Sequence, residues 1–268
     1  MPMIFPIRVN PPALFSLALV LNMSLLLSSL GAQNLRPSLT IAAASDLSRL
    51  EPSFQQGFPL ADLTFNFGSS GALARQIENG APFDLFLSAS EEHMVPLIKK
   101  NRVIKEEMQI YAIGRIGLWA KSGAIRNLRD LDQPAVRVIA IANPQVAPYG
   151  QAAVAALRRV GLWDKIKDRV VYGESIRQAQ QFAETGNADC AILAWSLIFD
   201  RGGYLIPDDL HPALRQVAAP IRQKGRNTKL VEAFIQFLQS EAGRAIFAQG
   251  GFNLLPAPPT LRRTAPRP

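Results

Sequence analysis

Cysteine and histidine are almost missing from these 268 residues: Cys190 is the single thiol, and His93 and His211 are the only imidazoles. One thiol forms no internal disulfide, and three scattered ligands exclude a Cys/His zinc cluster and an iron–sulfur centre. Two histidines also leave scant material for a histidine-based catalytic triad. Charge is sparse, at 19% against 48% apolar residues, and no low-complexity tract breaks the chain. That composition belongs to a folded protein, not a disordered one. Lys and Arg exceed Asp and Glu by 29 to 21. The basic residues are nevertheless scattered in pairs such as Lys99-Lys100, Arg158-Arg159 and Arg262-Arg263, with no interleaved aromatic platform. They predict a solvated basic surface and no nucleic-acid partner.

Charge is rarest at the start, where Arg8 is the only charged residue before Arg36. Between them runs an apolar stretch from Ala13 to Leu27, followed by the small residues Ser28, Ser29, Gly31 and Ala32. A positive start, an apolar centre and small residues at the exit predict a secretory signal peptide over 1–32, cleaved after Gly31 or Ala32. The alternative is an uncleaved membrane anchor, since the run is near the lower limit for a spanning helix. No cysteine follows the run, which excludes a lipid-anchored lipoprotein. The expected location is the periplasm.

The remainder alternates short β-rich runs with helical periodicity, the pattern of an α/β fold with largely parallel sheet. Strands are expected at 39–44, 63–67 and 84–88, with helices at 45–56, 72–79 and 91–100. Gly80 should close the second of these helices, and Pro82 should prevent its continuation. Extended segments at 109–113 and 115–120 lead into strands at 136–142, 170–172 and 191–194, with helices at 149–160 and 175–185 between them. A strand at 217–222 returns to the first part, and helices at 230–239 and 241–249 close the fold. The expected organisation is a first lobe of 38–112 plus 218–256, a second lobe of 113–217, and a Pro/Arg tail at 257–268.

Four strand-to-helix junctions share a design: Ala43-Ala-Ser45-Asp, Gly68-Ser-Ser70-Gly, Tyr172-Gly-Glu-Ser175-Ile176, and the longer Asn143 to Gly150 segment containing Pro148 and Tyr149. Helix N-termini offer unpaired N–H groups and partial positive charge, and serine adds a hydroxyl donor. Any one junction alone reads best as ordinary capping. Four junctions across two lobes point to one polar, uncharged anion cleft at the carboxyl ends of the strands. Which anion is not legible from the pattern.

The stretches Ala42-Ala-Ala-Ser45, Gly68 to Ile77, Gly80 to Ala89 and Gly161-Leu-Trp-Asp164 resemble the molybdate-binding proteins of bacterial ABC importers, as does the run Leu238 to Phe252. The resemblance implies a two-lobed type II periplasmic-binding-protein fold, each lobe a mainly parallel sheet flanked by helices. It implies a tetrahedral dianion, molybdate and also tungstate, held by the Ser45 and Ser70 hydroxyls and by backbone donors at Tyr149 and Ile176. No cofactor is implied; molybdate is cargo, and molybdenum enters only as the oxyanion. The implied partners are a membrane permease and its cytoplasmic ATPase, with the binding protein itself a monomer. A tyrosine that the family often supplies from the last strand of the second lobe falls on Ala194, so its hydroxyl is missing, and Tyr149 is expected to lend its own instead. Asp46 is expected to point outward, away from a dianion.

Two other functions remain open at this level: a receptor for sulfate, phosphate or another oxyanion, and an exported serine hydrolase using Ser45 or Ser70. Neither serine stands in a Gly-x-Ser-x-Gly elbow, so the expectation is a binding protein and not an enzyme.

Overall fold

A computed structural model describes Met3 and residues 36–256 of the chain. Apart from Met3, the expected signal peptide lies outside the described residues, as does the Pro/Arg tail. Among the described residues no helix is long and apolar enough to cross a membrane.

Strands β1 (Ser38–Ala44), β2 (Asp62–Gly68), β3 (Leu85–Ser88), β4 (Gln109–Gly114) and β10 (Leu214–Pro220) form one sheet, in the order β2-β1-β3-β10-β4. Strands β5 (Ile116–Trp119), β6 (Ile139–Ala142), β7 (Val170–Gly173), β8 (Cys190–Ala194) and β9 (Tyr204–Leu205) form a second, in the order β7-β6-β8-β5-β9. In each sheet three neighbouring strands are parallel and the fourth is antiparallel to both its neighbours. The fifth strand therefore runs with the first three. The reversed strand is β10 in one sheet and β5 in the other, so the chain crosses from β4 into β5 and returns through β10. This is the two-lobed α/β architecture expected from the sequence.

Helices α1 (Glu51–Gly57), α2 (Ser70–Glu78), α3 (Val95–Lys99), α7 (Thr228–Gln239) and α8 (Glu241–Gln249) flank the first sheet. Helices α4 (Pro148–Arg159), α5 (Trp163–Ile166) and α6 (Ile176–Thr185) flank the second. Period-two alternation explains how the first sheet is buried on both faces. Leu39, Ile41 and Ala43 of β1 pack with Phe54 of α1, Phe234 of α7 and Phe247 of α8. Ala42, between them, faces Leu73 and Ile77 of α2. Each such Leu, Ile or Phe contributes about 1.5–3 kcal/mol on leaving water. Gly80 follows α2 with φ of +91°, the left-handed closure expected of that glycine.

Two elements depart from expectation. Residues 91–100 are not one helix but a 3-10 turn, Glu92–Met94, followed by the short α3 with Pro96 in its first turn. Residues 45–56 are not a single α-helix but a 3-10 turn, Ser45–Leu50, followed by α1. Pro52 is the reason: it has no N–H to bond back to Ser48, so it is tolerated only in the first turn of an α-helix, and α1 starts beside it. The six residues before it take the tighter winding.

Candidate functional site at the facing strand ends

The parallel strands of the first sheet end together, Ala44 opposite Gly68, and those of the second end with Ala142 opposite Gly173. The two sets of strand ends meet. Gly71, in the first turn of α2, donates its N–H to the Val146 carbonyl at 2.8 Å. The Tyr149 hydroxyl donates to Asp46 Oδ2 at 2.7 Å, and Ser196 Oγ donates to the Asp46 carbonyl at 2.7 Å. Ala44 and Ala89 from the first sheet's strand ends share one apolar cluster with Tyr149 and Ile176. All four junctions singled out in the sequence thus converge.

Ser45 opens the 3-10 turn and is buried, and its side chain makes no capping hydrogen bond among the described residues. Ser70 opens α2 and is 1% exposed; its Oγ accepts the Ala89 N–H at 3.0 Å. That contact comes from a backbone amide and not from a base, and it leaves the one hydroxyl proton of Ser70 free to donate. Its neighbour Ser69 Oγ is buried with no partner among the described residues, a donor the sequence reading passed over.

Tyr149 stands second in α4, behind Pro148, and its N–H has no acceptor among the described residues. Ile176 stands first in α6, where the Ser175 hydroxyl caps the helix by accepting Gln178 N–H at 3.3 Å. The Ile176 N–H is likewise left unpaired among the described residues. Unpaired amides at helix starts are what a bound anion can satisfy.

Two expectations are corrected here. Asp46 does not point outward: it is 0% exposed, because the 3-10 winding and the Tyr149 contact turn its carboxyl inward. The Tyr149 hydroxyl is therefore not a free donor for a ligand, since its proton is committed to Asp46. Sequence reasoning also missed Gln216, whose Nε2 donates to the Tyr149 hydroxyl at 3.3 Å. Nothing local could have announced these contacts, because the partners lie 103 and 67 residues apart. Ala194, at the end of β8, is wholly buried and offers only a methyl group.

Burial pushes the Asp46 carboxyl up to about 6, against the opposing pull of the Tyr149 hydrogen bond. Burial also raises the Tyr149 hydroxyl well above its ordinary value, and the Asp46 charge adds to the shift. Among the described residues no three His, Cys, Asp or Glu side chains gather as a metal site. The arrangement thus brings neutral hydroxyl and amide donors from both sheets together, beside one buried carboxyl whose Oδ1 has no partner among the described residues.

The family described as bacterial extracellular solute-binding protein matches residues 39–253. This chain belongs to that family. Among its relatives, the molybdate-binding protein ModA of Azotobacter vinelandii is 35% identical over 197 residues, 70% of this chain and 78% of that protein. ModA of Rhodobacter capsulatus is 31% identical, over 71% of this chain and 77% of its own. The solved structure of the A. vinelandii periplasmic molybdate-binding protein superposes with a TM-score of 0.73 at 28% identity, covering 81% of this solute-binding protein and 99% of that chain. A sulfate-binding protein from Mycobacterium tuberculosis shares the fold, with a TM-score of 0.66 at 16% identity. These relatives bear the names of binding proteins and not of enzymes, and the serine-hydrolase alternative is set aside.

Proposed function

We propose that this solute-binding protein captures molybdate, and tungstate with it, between two lobes and delivers it to the membrane permease of an ABC importer driven by a cytoplasmic ATPase. The lobes are 38–112 plus 218–256 and 113–217. The protein works as a periplasmic monomer released from its signal peptide. The Ser45 and Ser70 hydroxyls and the Tyr149 and Ile176 amides hold the oxyanion. One observation carries this reading: four donors left uncommitted at strand-to-helix junctions of both sheets converge, and none of them is charged. Relatives named for molybdate at 31–35% identity supply the choice of anion.

A dianion does not need lysine or arginine here. Each fixed neutral donor contributes about 1.5–3 kcal/mol when its acceptor is charged. Several together reach the roughly 8 kcal/mol of micromolar binding after desolvation is met. A thermal-shift series with molybdate, tungstate, sulfate and phosphate tests the reading, since ligand at 100 times its Kd adds about 2.7 kcal/mol of stability. Molybdate and tungstate should raise the melting temperature at micromolar concentration. A response to sulfate or phosphate with none to molybdate would move the protein to the other oxyanions.

A further inference from the structure

One hydrogen bond ties two of the proposed donors together. Ser45 is followed by Asp46, whose Oδ2 accepts from the Tyr149 hydroxyl at 2.7 Å, and Tyr149 also carries the uncommitted amide of α4. The bond therefore spans from the end of β1 to the start of α4, between the two sheets. The hydroxyl is held from behind as well. Gln216 Nε2 donates to it at 3.3 Å, and the Tyr111 hydroxyl donates to Gln216 Oε1 at 3.4 Å. A Cβ on Gly114 would lie 2.3 Å from the Tyr149 oxygen and 2.7 Å from Gln216 Nε2, so the hydroxyl fills a notch that only glycine leaves open. Asp46, Tyr149, Gln216 and Tyr111 are all buried. Asp46 Oδ1 has no partner among the described residues, so Oδ2 and its bond from Tyr149 are what tie this carboxyl into the buried network.

We propose that the Asp46–Tyr149 hydrogen bond is the size gauge of the anion site: it sets the span between the Ser45 hydroxyl and the Tyr149 amide, and so the radius of the tetrahedral oxyanion that both can reach. The inference rests on the oxyanion reading above. Asp46 and Tyr149 Oη act as positioning groups, neither donating to the anion. Molybdate and sulfate carry the same charge and differ in size, the bonds from molybdenum to oxygen being the longer. Their affinity ratio therefore reports the span and cancels any change in the charge around the site.

Competition calorimetry at pH 8 with molybdate and sulfate, on the wild-type protein, Tyr149→Phe, Asp46→Ala and the double variant, tests the gauge. The wild type should favour molybdate, and each single substitution should narrow that preference about tenfold, the scale of one lost hydrogen bond. The double variant should narrow it no further, because both changes cut the same bond. Asp46→Ala also removes a negative charge, which tightens both anions alike and leaves the ratio to report the span. A merely structural role would weaken both anions in proportion and leave the ratio intact; an unchanged ratio in both single variants, or losses that add in the double, overturns the gauge. If Asp46→Ala does not fold, Asp46→Asn keeps an acceptor for the hydroxyl and should hold the ratio within about twofold; a tenfold loss there also overturns it. A wild type that binds sulfate and not molybdate defeats the functional reading instead, and the gauge then requires the same variants to narrow the preference for sulfate.

Discussion

The two halves of the site offer donors of different kinds. On the first sheet they are side chains: Ser45 makes no capping hydrogen bond among the described residues, and Ser70 accepts from Ala89 while keeping its proton to give. On the second sheet they are backbone, for Ser175 spends its hydroxyl on capping α6 and leaves the Ile176 amide bare, and the Tyr149 hydroxyl is turned away to Asp46. The lesson concerns mutability. A hydroxyl can be deleted by one substitution, whereas an amide at a helix start survives every substitution except proline and can be altered only by moving the helix. Affinity should therefore be lost most directly through the first sheet, and geometry through the second.

The largest expected effect acts on the bond that joins the halves. The Asp46 carboxyl titrates near 6 in the folded chain against 3.8 as its ordinary value, because burial disfavours its charged form. Between these values the folded chain holds a proton that the unfolded chain has released, so stability falls as pH rises through the window. For this group the loss is on the order of 3 kcal/mol, complete above about pH 6. Asp46→Asn has no such proton. Urea melts should therefore find the variant gaining on the wild type between pH 4.5 and pH 7.5, and parallel pH curves for the two proteins would show that Asp46 is not held as described.

Next in size is the deletion of a hydroxyl from the first half. Ser70→Ala should cost about 1.5–3 kcal/mol of molybdate binding, since a charged acceptor loses its donor. The Ala89 amide loses its acceptor too, which should take about 1 kcal/mol from the ligand-free fold. Calorimetry separates the two, and unchanged affinity would remove Ser70 from the site. In the second half, Ser175→Ala should cost about 1 kcal/mol of stability as a lost cap. It should barely change affinity, because the Ile176 amide remains; a tenfold loss of affinity would mean that the hydroxyl itself reaches the ligand.

That contrast also marks how far the sequence could be read. Strand ends and helix starts were legible because the short apolar runs of β1 and β3, Gly80 after α2 and Pro148 at the opening of α4 are local signals. The converging junctions were legible for the same reason, since each is built from adjacent residues. What the helical pattern concealed was the winding of residues 45–50. An α-helix beginning at Ser45 would carry Asp46 on an outer first turn; the 3-10 turn imposed by Pro52 buries it instead. Its partners Tyr149 and Gln216 belong to distant parts of the chain, and no periodicity links residues that far apart.

The smallest effect concerns a second contact between the same parts of the molecule, this one at the surface. Arg49, in the same 3-10 turn as Asp46, meets Asp200 through two hydrogen bonds of 2.7 and 2.6 Å and also donates to the Leu197 carbonyl at 3.2 Å. The pairing holds the Asp200 carboxyl below its ordinary range. The geometry is good, but both side chains are more than a third exposed, at 37% and 47%, so water and salt screen most of the attraction. An exposed pair of this kind contributes about 0.2–1 kcal/mol. Arg49→Gln should therefore change molybdate affinity by less than about fivefold, and the difference from wild type should shrink further in half-molar salt. Tyr149→Phe, which cuts the buried contact, should show no such salt dependence. If Arg49→Gln instead costs more than Tyr149→Phe and the cost persists in high salt, the surface pair and not the buried one joins the two halves of the site.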